Sequence, residues 1–422
     1  VERAFNDIDP EDIESLTTLK DASATAVYGV RGANGVIIIK TKPGKIGKPT
    51  ISADYYESFT RFTKMVDLTD GVSYMKAANE ALRNDGLATK FTDSQIQNTI
   101  LGKDQYLYPN VDWLNEIFND WGHNRRVNVN VRGGSEKVSY YASVSYFNET
   151  GMTVTDKSIN TFDSKMKYSR YNFTTNLSID VTPTTKVEIG AQGYLGEGNY
   201  PAISSKDLYN AAMSISPVEY PKMFFINGEA YIPGRSTNNN FNNPYSQATR
   251  RGYDNLTKNQ IYSNLRITQD LDMLTKGLKL TAMYAFDVYN EIHVHQDRAE
   301  STYYFLDTNV PYDLDGQPIL QRIYTGTNVL SYKQETSGNK KTYLEASLNY
   351  DRAFGDHRVS GLFLFNQQQK LLYPKGTLED AIPYRMMGIA GRATYSWKDR
   401  YFAEFNIGYN GAENFSPKHR FG

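Results

Sequence analysis

The sequence predicts an all-β membrane fold: a transmembrane β-barrel with large loops on one side, preceded by a small α/β unit. Three observations carry this. About eleven stretches alternate apolar and polar residues with period two, many near the roughly 9–11 residues that a tilted membrane strand needs. Short and long connections alternate strictly along the chain, as tight turns on one side of a membrane and large loops on the other require. Finally, 33 Tyr, 20 Phe and 3 Trp stand in a chain that is polar on average. That composition suits an apolar outer band, aromatic girdles and a polar lumen. A soluble sandwich could share it, but has no reason to keep every second loop long.

The bulk numbers narrow the function classes. A net charge of −1 over 422 residues gives no basic field for nucleic acid and no acidic tail. With no cysteine there is neither a disulfide framework nor a thiolate metal site, although this fixes no compartment. No apolar run approaches the ~20 residues of a membrane helix. No leader is visible either. Val1 lies just before a strand-like stretch, so the chain is expected to begin within a domain, which leaves export open.

In chain order, Ile13 to Leu19 reads as a strand rich in β-branched residues, and Asp21 is placed to cap a short helix over 22–27. Gly29, Gly32 and Gly35 follow at three-residue spacing, then a second strand, Val36 to Thr41. A phosphate cradle needs such glycines to feed a helix N-terminus. Here they feed a strand, so a tight turn in a small α/β unit is the expectation. Residues 42–48 form a Pro/Gly linker.

From Ile51 the alternating strands begin. The clearest carries Tyr171, Phe173, Thr175, Leu177, Ile179 and Val181 on one face and Asn172, Thr174, Asn176, Ser178 and Asp180 on the other. Others centre on Val129, Val144, Ile189, Leu265, Leu280, Leu348, Phe363, Ala393 and Phe405. Turns at 133–137, 182–185, 272–277, 354–357 and 398–400 are short, whereas 60–125, 148–168, 197–258, 290–340 and 367–386 are long. The first long loop carries helices. Asp70 can cap one over Gly71–Asn84, a second runs from about Asp93, and an Asp112-Trp113 element follows.

These residues also carry a family resemblance. Lys-Asp-Ala-Ser-Ala-Thr-Ala at 20–26, Tyr28-Gly29, Arg-Gly-Ala-Asn-Gly at 31–35 and Val-Ile-Ile at 36–38 resemble the end of the plug domain of TonB-dependent outer-membrane transporters. More narrowly, they are similar to the SusC/RagA-like branch. Asp112-Trp113, Gly133-Gly134-Ser135, Asn243-Pro244-Tyr245, Lys276-Gly277-Leu278, Tyr409-Asn410-Gly411 and Asn-Phe-Ser-Pro at 414–417 extend the likeness along the chain. The resemblance implies a 22-stranded barrel filled by an α/β plug. Residues 1–48 would then be the C-terminal part of the plug and 49–422 the N-terminal half of the barrel, unable to close alone. It further implies active import of oligosaccharides, or of peptides in some relatives. The partners would be a SusD-like surface lipoprotein lid and the TonB–ExbB–ExbD complex, and a dimer of transporter–lid pairs is an open assembly. An unlidded receptor for a chelate or vitamin is the further alternative. Lys20, Asp21, Tyr28, Gly29, Arg31, Gly32, Asn34 and Gly35 would be the plug signature, structural or gating in role.

Other chemistry is sparse. His293 and His295 could share a strand face, but no third donor is near in sequence and metal sites usually need three or four, so a solvated loop pair is expected. Asp313-Leu314-Asp315-Gly316 echoes a calcium loop, yet Tyr324 stands where the closing carboxylate belongs, so a turn is expected. No catalytic elbow or zinc-protease motif appears, and neither an enzyme nor a cofactor is expected. Tyr141, Ser143, Ser145, Asn172, Asn176 and Gln192 should face the lumen, where they suit hydration or a ligand. Among loop aromatics and amides, Tyr200, Phe224, Phe225, Tyr231, Asn238, Tyr303 and Tyr304 could stack on sugar rings or bond hydroxyls, but packing competes for them.

Overall fold

A computed structural model describes residues 7–20, 34–156, 161–237, 243–374, 376–377 and 381–421. The expected helix over 22–27, its Asp21 cap, Tyr28, Gly29, Arg31, Gly32 and the loop candidate Asn238 lie outside them.

At the start, the Asp9 carboxylate accepts from the Glu11 N–H at 2.9 Å and caps a single turn, Pro10–Asp12. Strand β1 (Ile13–Leu19) pairs antiparallel with β2 (Val36–Thr41), as expected. The chain enters β2 through Gly35 at φ 90°, where a side chain would be strained.

Then come β3 (Gly47–Thr60), β4 (Gly122–Gly134), β5 (Val138–Thr150), β6 (Lys167–Thr182) and β7 (Thr185–Pro201). Two short strands, β8 (Phe224–Ile226) and β9 (Glu229–Pro233), precede β10 (Gly252–Asp270) and β11 (Leu278–Asp297). Two more, β12 (Thr302–Phe305) and β13 (Leu320–Tyr324), precede β14 (Lys333–Phe354), β15 (His357–Tyr373), β16 (Tyr384–Trp397) and β17 (Tyr401–Ala412). Eleven of these form one antiparallel sheet in sequence order, from β3 through β7, then β10, β11 and β14 to β17. The count expected from alternation is thereby met. The sheet is open among the described residues, with β3 and β17 as its edges.

Register keeps each face uniform. Leu177 pairs with Ile189, Ile189 with Leu265, Leu265 with Tyr284, and Tyr284 with Leu344, one apolar row across five strands. Ile189, Leu265, Tyr284 and Leu344 are all exposed. A one-residue slip would turn these rows inward, so burial preference on the two faces fixes the pairing. The opposite face holds Tyr141, Ser143, Ser145, Asn172 and Thr174, all buried.

The strands outrun their alternation. β14 has 22 residues, about 70 Å at ~3.3 Å per residue, against a hydrocarbon core of ~30 Å. The ladders therefore continue into parts of 197–258 and 290–340 that hydropathy marks as loop. There the period-two signal thins, as around Asn199 and Asp254, although Ile292 and Val294 still alternate with Glu291, His293 and His295.

Beyond those ends the long connections build their own core. Helix Gly71–Asn84 starts at its expected cap, Asp70, which accepts from Val72 and Ser73, and helix Trp113–Ile117 starts at Asp112, which accepts from Asn115. Helix Asp93–Ile100 begins with a capping box between Thr92 and Gln95. Trp113, Leu114 and Ile117 pack with Leu208 and Ala212 of helix Ser205–Ser214, with Tyr245 and Ala248 of helix Pro244–Thr249, and with Tyr220, Met223 and Ile232. The small sheet of β8, β9, β12 and β13 lies beside it. Burial, then a hydrogen bond to Asp156, raises the Tyr245 phenol well above its ordinary range.

Candidate functional site

The N-terminal segment lies against the buried polar face of the sheet, and the contacts holding it there are hydrogen bonds. Tyr141 Oη donates to Asp12 Oδ1 at 2.7 Å, and Ser145 Oγ donates to Asp9. Tyr262 donates to Asp7, and Asn172 Nδ2 reaches the Asp7 carbonyl at 3.3 Å. Asn176 Nδ2 donates to Thr41 Oγ1 at 2.9 Å and to the Lys42 carbonyl at 2.8 Å. At the sheet's first strands, Tyr56 Oη donates to Glu11 and Arg132 faces Glu14 at 3.5 Å. Near the turn side the linker comes closest: a Cβ on Gly44 would sit 2.2 Å from the Tyr140 backbone nitrogen.

A buried bond of this kind contributes a net ~0.5–1.5 kcal/mol between neutral groups and ~1.5–3 kcal/mol to a carboxylate, and its groups can be rehydrated, so the attachment is specific without being permanent. Tyr141 has no exposed surface, and its partner Asp12 is 1% exposed. Asp12→Ala is therefore expected to leave a buried hydroxyl without its acceptor and loosen the segment by about 1–3 kcal/mol. Faster amide hydrogen exchange over residues 13–19 and 36–41, with the sheet unchanged, is the readout. Equal exchange in variant and parent would refute the contact's role.

The expected inward positions are met, and four of them, Tyr141, Ser145, Asn172 and Asn176, serve this docking. Sequence reasoning missed their partners Asp7, Asp9 and Asp12. The signal available was the acidic run Asp-Ile-Asp-Pro-Glu-Asp at 7–12.

On the loop side lies a recess of about 470 Å³ lined by Ser214, Ser216, Glu219, Tyr220, Arg235 and neighbours, with Arg235 paired to Glu219 at 3.6 Å. Of the aromatic loop candidates, Phe224 is fully buried against Tyr106 and Phe305, so its ring is a packing element. Tyr231 and Tyr303 meet edge to face at 5.1 Å and remain partly exposed. Tyr200 ends β7 on the inner face, directly opposite Asp254. The Asp313–Gly316 run is a turn, its Asp313 carboxylate accepting from the N–H groups of Asp315 and Gln317. The expectation for the two histidines needs correcting. β11 runs straight through them, and the ladder places Asp254 of β10 opposite His295. A third donor is present, contributed by the neighbouring strand.

No family model matches the chain. TonB-dependent receptor P3 of Formosa agariphila is 23% identical over 98% of this chain, which spans 38% of that receptor. TonB-dependent receptor SusC of Bacteroides thetaiotaomicron is 36% identical over 35% of the chain and 13% of its own length. These likenesses support a place for the chain among the SusC-like TonB-dependent receptors. The RagAB peptide transporter superposes at a TM-score of 0.71 with 19% identity, over 98% of this chain and 48% of that one. The chain thus spans less than half the length of these relatives. As in other TonB-dependent receptors, the sheet is outer-membrane barrel wall, and its exposed apolar rows form the lipid face.

Proposed function

We propose that this chain supplies the end of the plug, residues 1–48, and part of the channel wall of a TonB-dependent importer of nutrient oligosaccharides. The observation that carries the reading is the polar seam between the N-terminal segment and the wall. A gate that must open and reseal cannot be cemented by apolar burial. One held by aspartate, asparagine and tyrosine hydrogen bonds can be pulled free without exposing a hydrophobic face to the water-filled pore. Work is still needed, because ligand binding shifts an equilibrium only by its differential affinity for the two states. The TonB–ExbB–ExbD complex is the proposed source. A SusD-like lipoprotein would close over the loop core, which stands clear of the lipid on the long strands. The partly exposed Tyr231 and Tyr303 rings and the hydroxyl-rich recess suit sugar rings. A peptide cargo is the second reading, favoured by the Arg235–Glu219 pair, which offers both signs of charge at that recess.

Locking the seam tests the gate. The 422 residues contain no cysteine, so Asp9→Cys with Ser145→Cys, in a full-length protein from which any cysteine elsewhere is removed, gives a defined pair for a short cleavable thiol cross-linker. Uptake is expected to stop on cross-linking and return on cleavage. Transport that continues through the locked protein would overturn the gating assignment. Glycan and peptide panels with the same cells then separate the two cargo readings, and a lipoprotein co-purifying in stoichiometric amount identifies the lid.

A further inference from the structure

At the loop end of the wall, β10 and β11 bring two imidazoles and a carboxylate together on the inner face. His293 and His295 are two residues apart on β11, so the pleat directs both the same way, and their rings lie 4.1 Å apart. Asp254 Oδ2 is 3.1 Å from His295 Nδ1 and 3.9 Å from His293 Nε2. One donor atom from each of the three lies within 4.8 Å of the others. Glu335 of β14, across from His293, holds Oε2 4.0 Å from His295 Nε2 while pairing with Lys333 at 2.6 Å.

We propose that Asp254, His293 and His295 form a binding site for a divalent transition-metal ion of the zinc class. The site is independent of the import reading. Two nitrogens and one carboxylate oxygen match the donor preference of such ions, whereas calcium and magnesium favour cages of oxygen. Metal–ligand bonds of ~2.0–2.2 Å place tetrahedral donors about 3.3–3.6 Å apart, so side-chain rotation alone closes the set. The backbones need not move, because the paired strands already fix the three Cβ positions. The three side chains are 22–32% exposed, dry enough to favour the ion over dispersed hydration and open enough to admit it. A fourth donor would come from water or from Glu335, 4.0 Å from His295. The bound ion would also tie β10 to β11 at the mouth.

The test uses the full-length protein, tag-free in detergent, stripped with chelator and titrated with cobalt(II). One cobalt per chain is expected, with a visible tetrahedral absorption band that zinc displaces and excess magnesium or calcium does not. His293→Gln with His295→Gln should abolish the band, and Asp254→Asn should weaken binding at least about tenfold, with heat-modifiable migration in gels showing the barrel intact. A second readout needs no variant: stoichiometric zinc should protect both histidines of the parent protein from diethylpyrocarbonate, mapped by mass spectrometry. Absence of stoichiometric binding, a band that survives the double substitution, or unprotected histidines would each overturn the site and leave a histidine–aspartate ion pair.

Discussion

Glu300→Ala is expected to destabilise the loop end of the sheet by about 3–5 kcal/mol, the cost of leaving buried charge without its partner. Glu300 is 7% exposed and receives two guanidinium groups. Arg250 approaches it in a two-bond fork, Nε to Oε2 at 2.5 Å and Nη2 to Oε1 at 2.9 Å, and Arg298 Nη2 reaches Oε1 at 2.5 Å. Both arginine side chains are themselves nearly covered, at 13% and 10%. Exposed pairs such as Arg358–Asp351, at 62% and 56%, contribute little by comparison, because water and salt screen them. Because Arg250 precedes β10 and Glu300 follows β11, the triad fastens two long connections where the ladder ends. Thermal unfolding and limited proteolysis should show cleavage around residues 250 and 300 at a temperature the parent withstands. Asp351→Ala, the control, should change neither. A parent-like proteolysis pattern for Glu300→Ala would mean water relieves the arginines and the triad is not structural.

Trp113→Ala should cost a similar ~3–5 kcal/mol, through a cavity rather than a charge. Trp113 is 1% exposed, donates its indole N–H to the Ser216 carbonyl at 3.2 Å, and meets Tyr220 edge to face at 6.0 Å. Its loss removes the residue that joins the first long loop to the third. The damage should be local: protection lost in helices Trp113–Ile117 and Ser205–Ser214, with β4 to β7 unchanged in hydrogen exchange. Trp113→Phe should recover most of the packing but not the bond to Ser216. Loss of the sheet's protection in Trp113→Ala would show that wall and loops fold as one unit.

The two domains of physics at work decide what could be read from the sequence. Alternation reveals a strand only where its two faces meet different media, as Leu265 and Tyr262 do, so the wall was legible and its count correct. Past the lipid, Asp254 and Asn255 sit in a stretch without that period, and the alternation Ile292-His293-Val294-His295 is too brief to mark where the ladder ends. Caps are local chemistry, which is why Asp70 announced its helix. Helix Pro244–Thr249 is six residues long and takes its order from tertiary burial of Tyr245 and Ala248, which no window of sequence contains. The docking seam and the Asp254–histidine cluster are likewise made by residues far apart in the chain, 129 positions for Asp12 and Tyr141, and by the pairing of β10 with β11. Only the acidic run at 7–12 hinted at the seam.

The nearest-neighbour order of the wall has a consequence for biogenesis. Each strand of the sheet pairs with those before and after it, so hairpins can be added one by one with little loop-closure entropy at each step. The loop core obeys no such sequence: it joins Trp113 to Ala248, and two membrane-crossing hairpins separate its parts. Its polar segments must pass the bilayer unfolded and wait, exposed, until the chain beyond residue 240 has arrived. Assembly is therefore early and stepwise in the wall but late and all at once at the surface, and a chain halted between β7 and β10 would display a finished half-wall beneath an unbuilt roof.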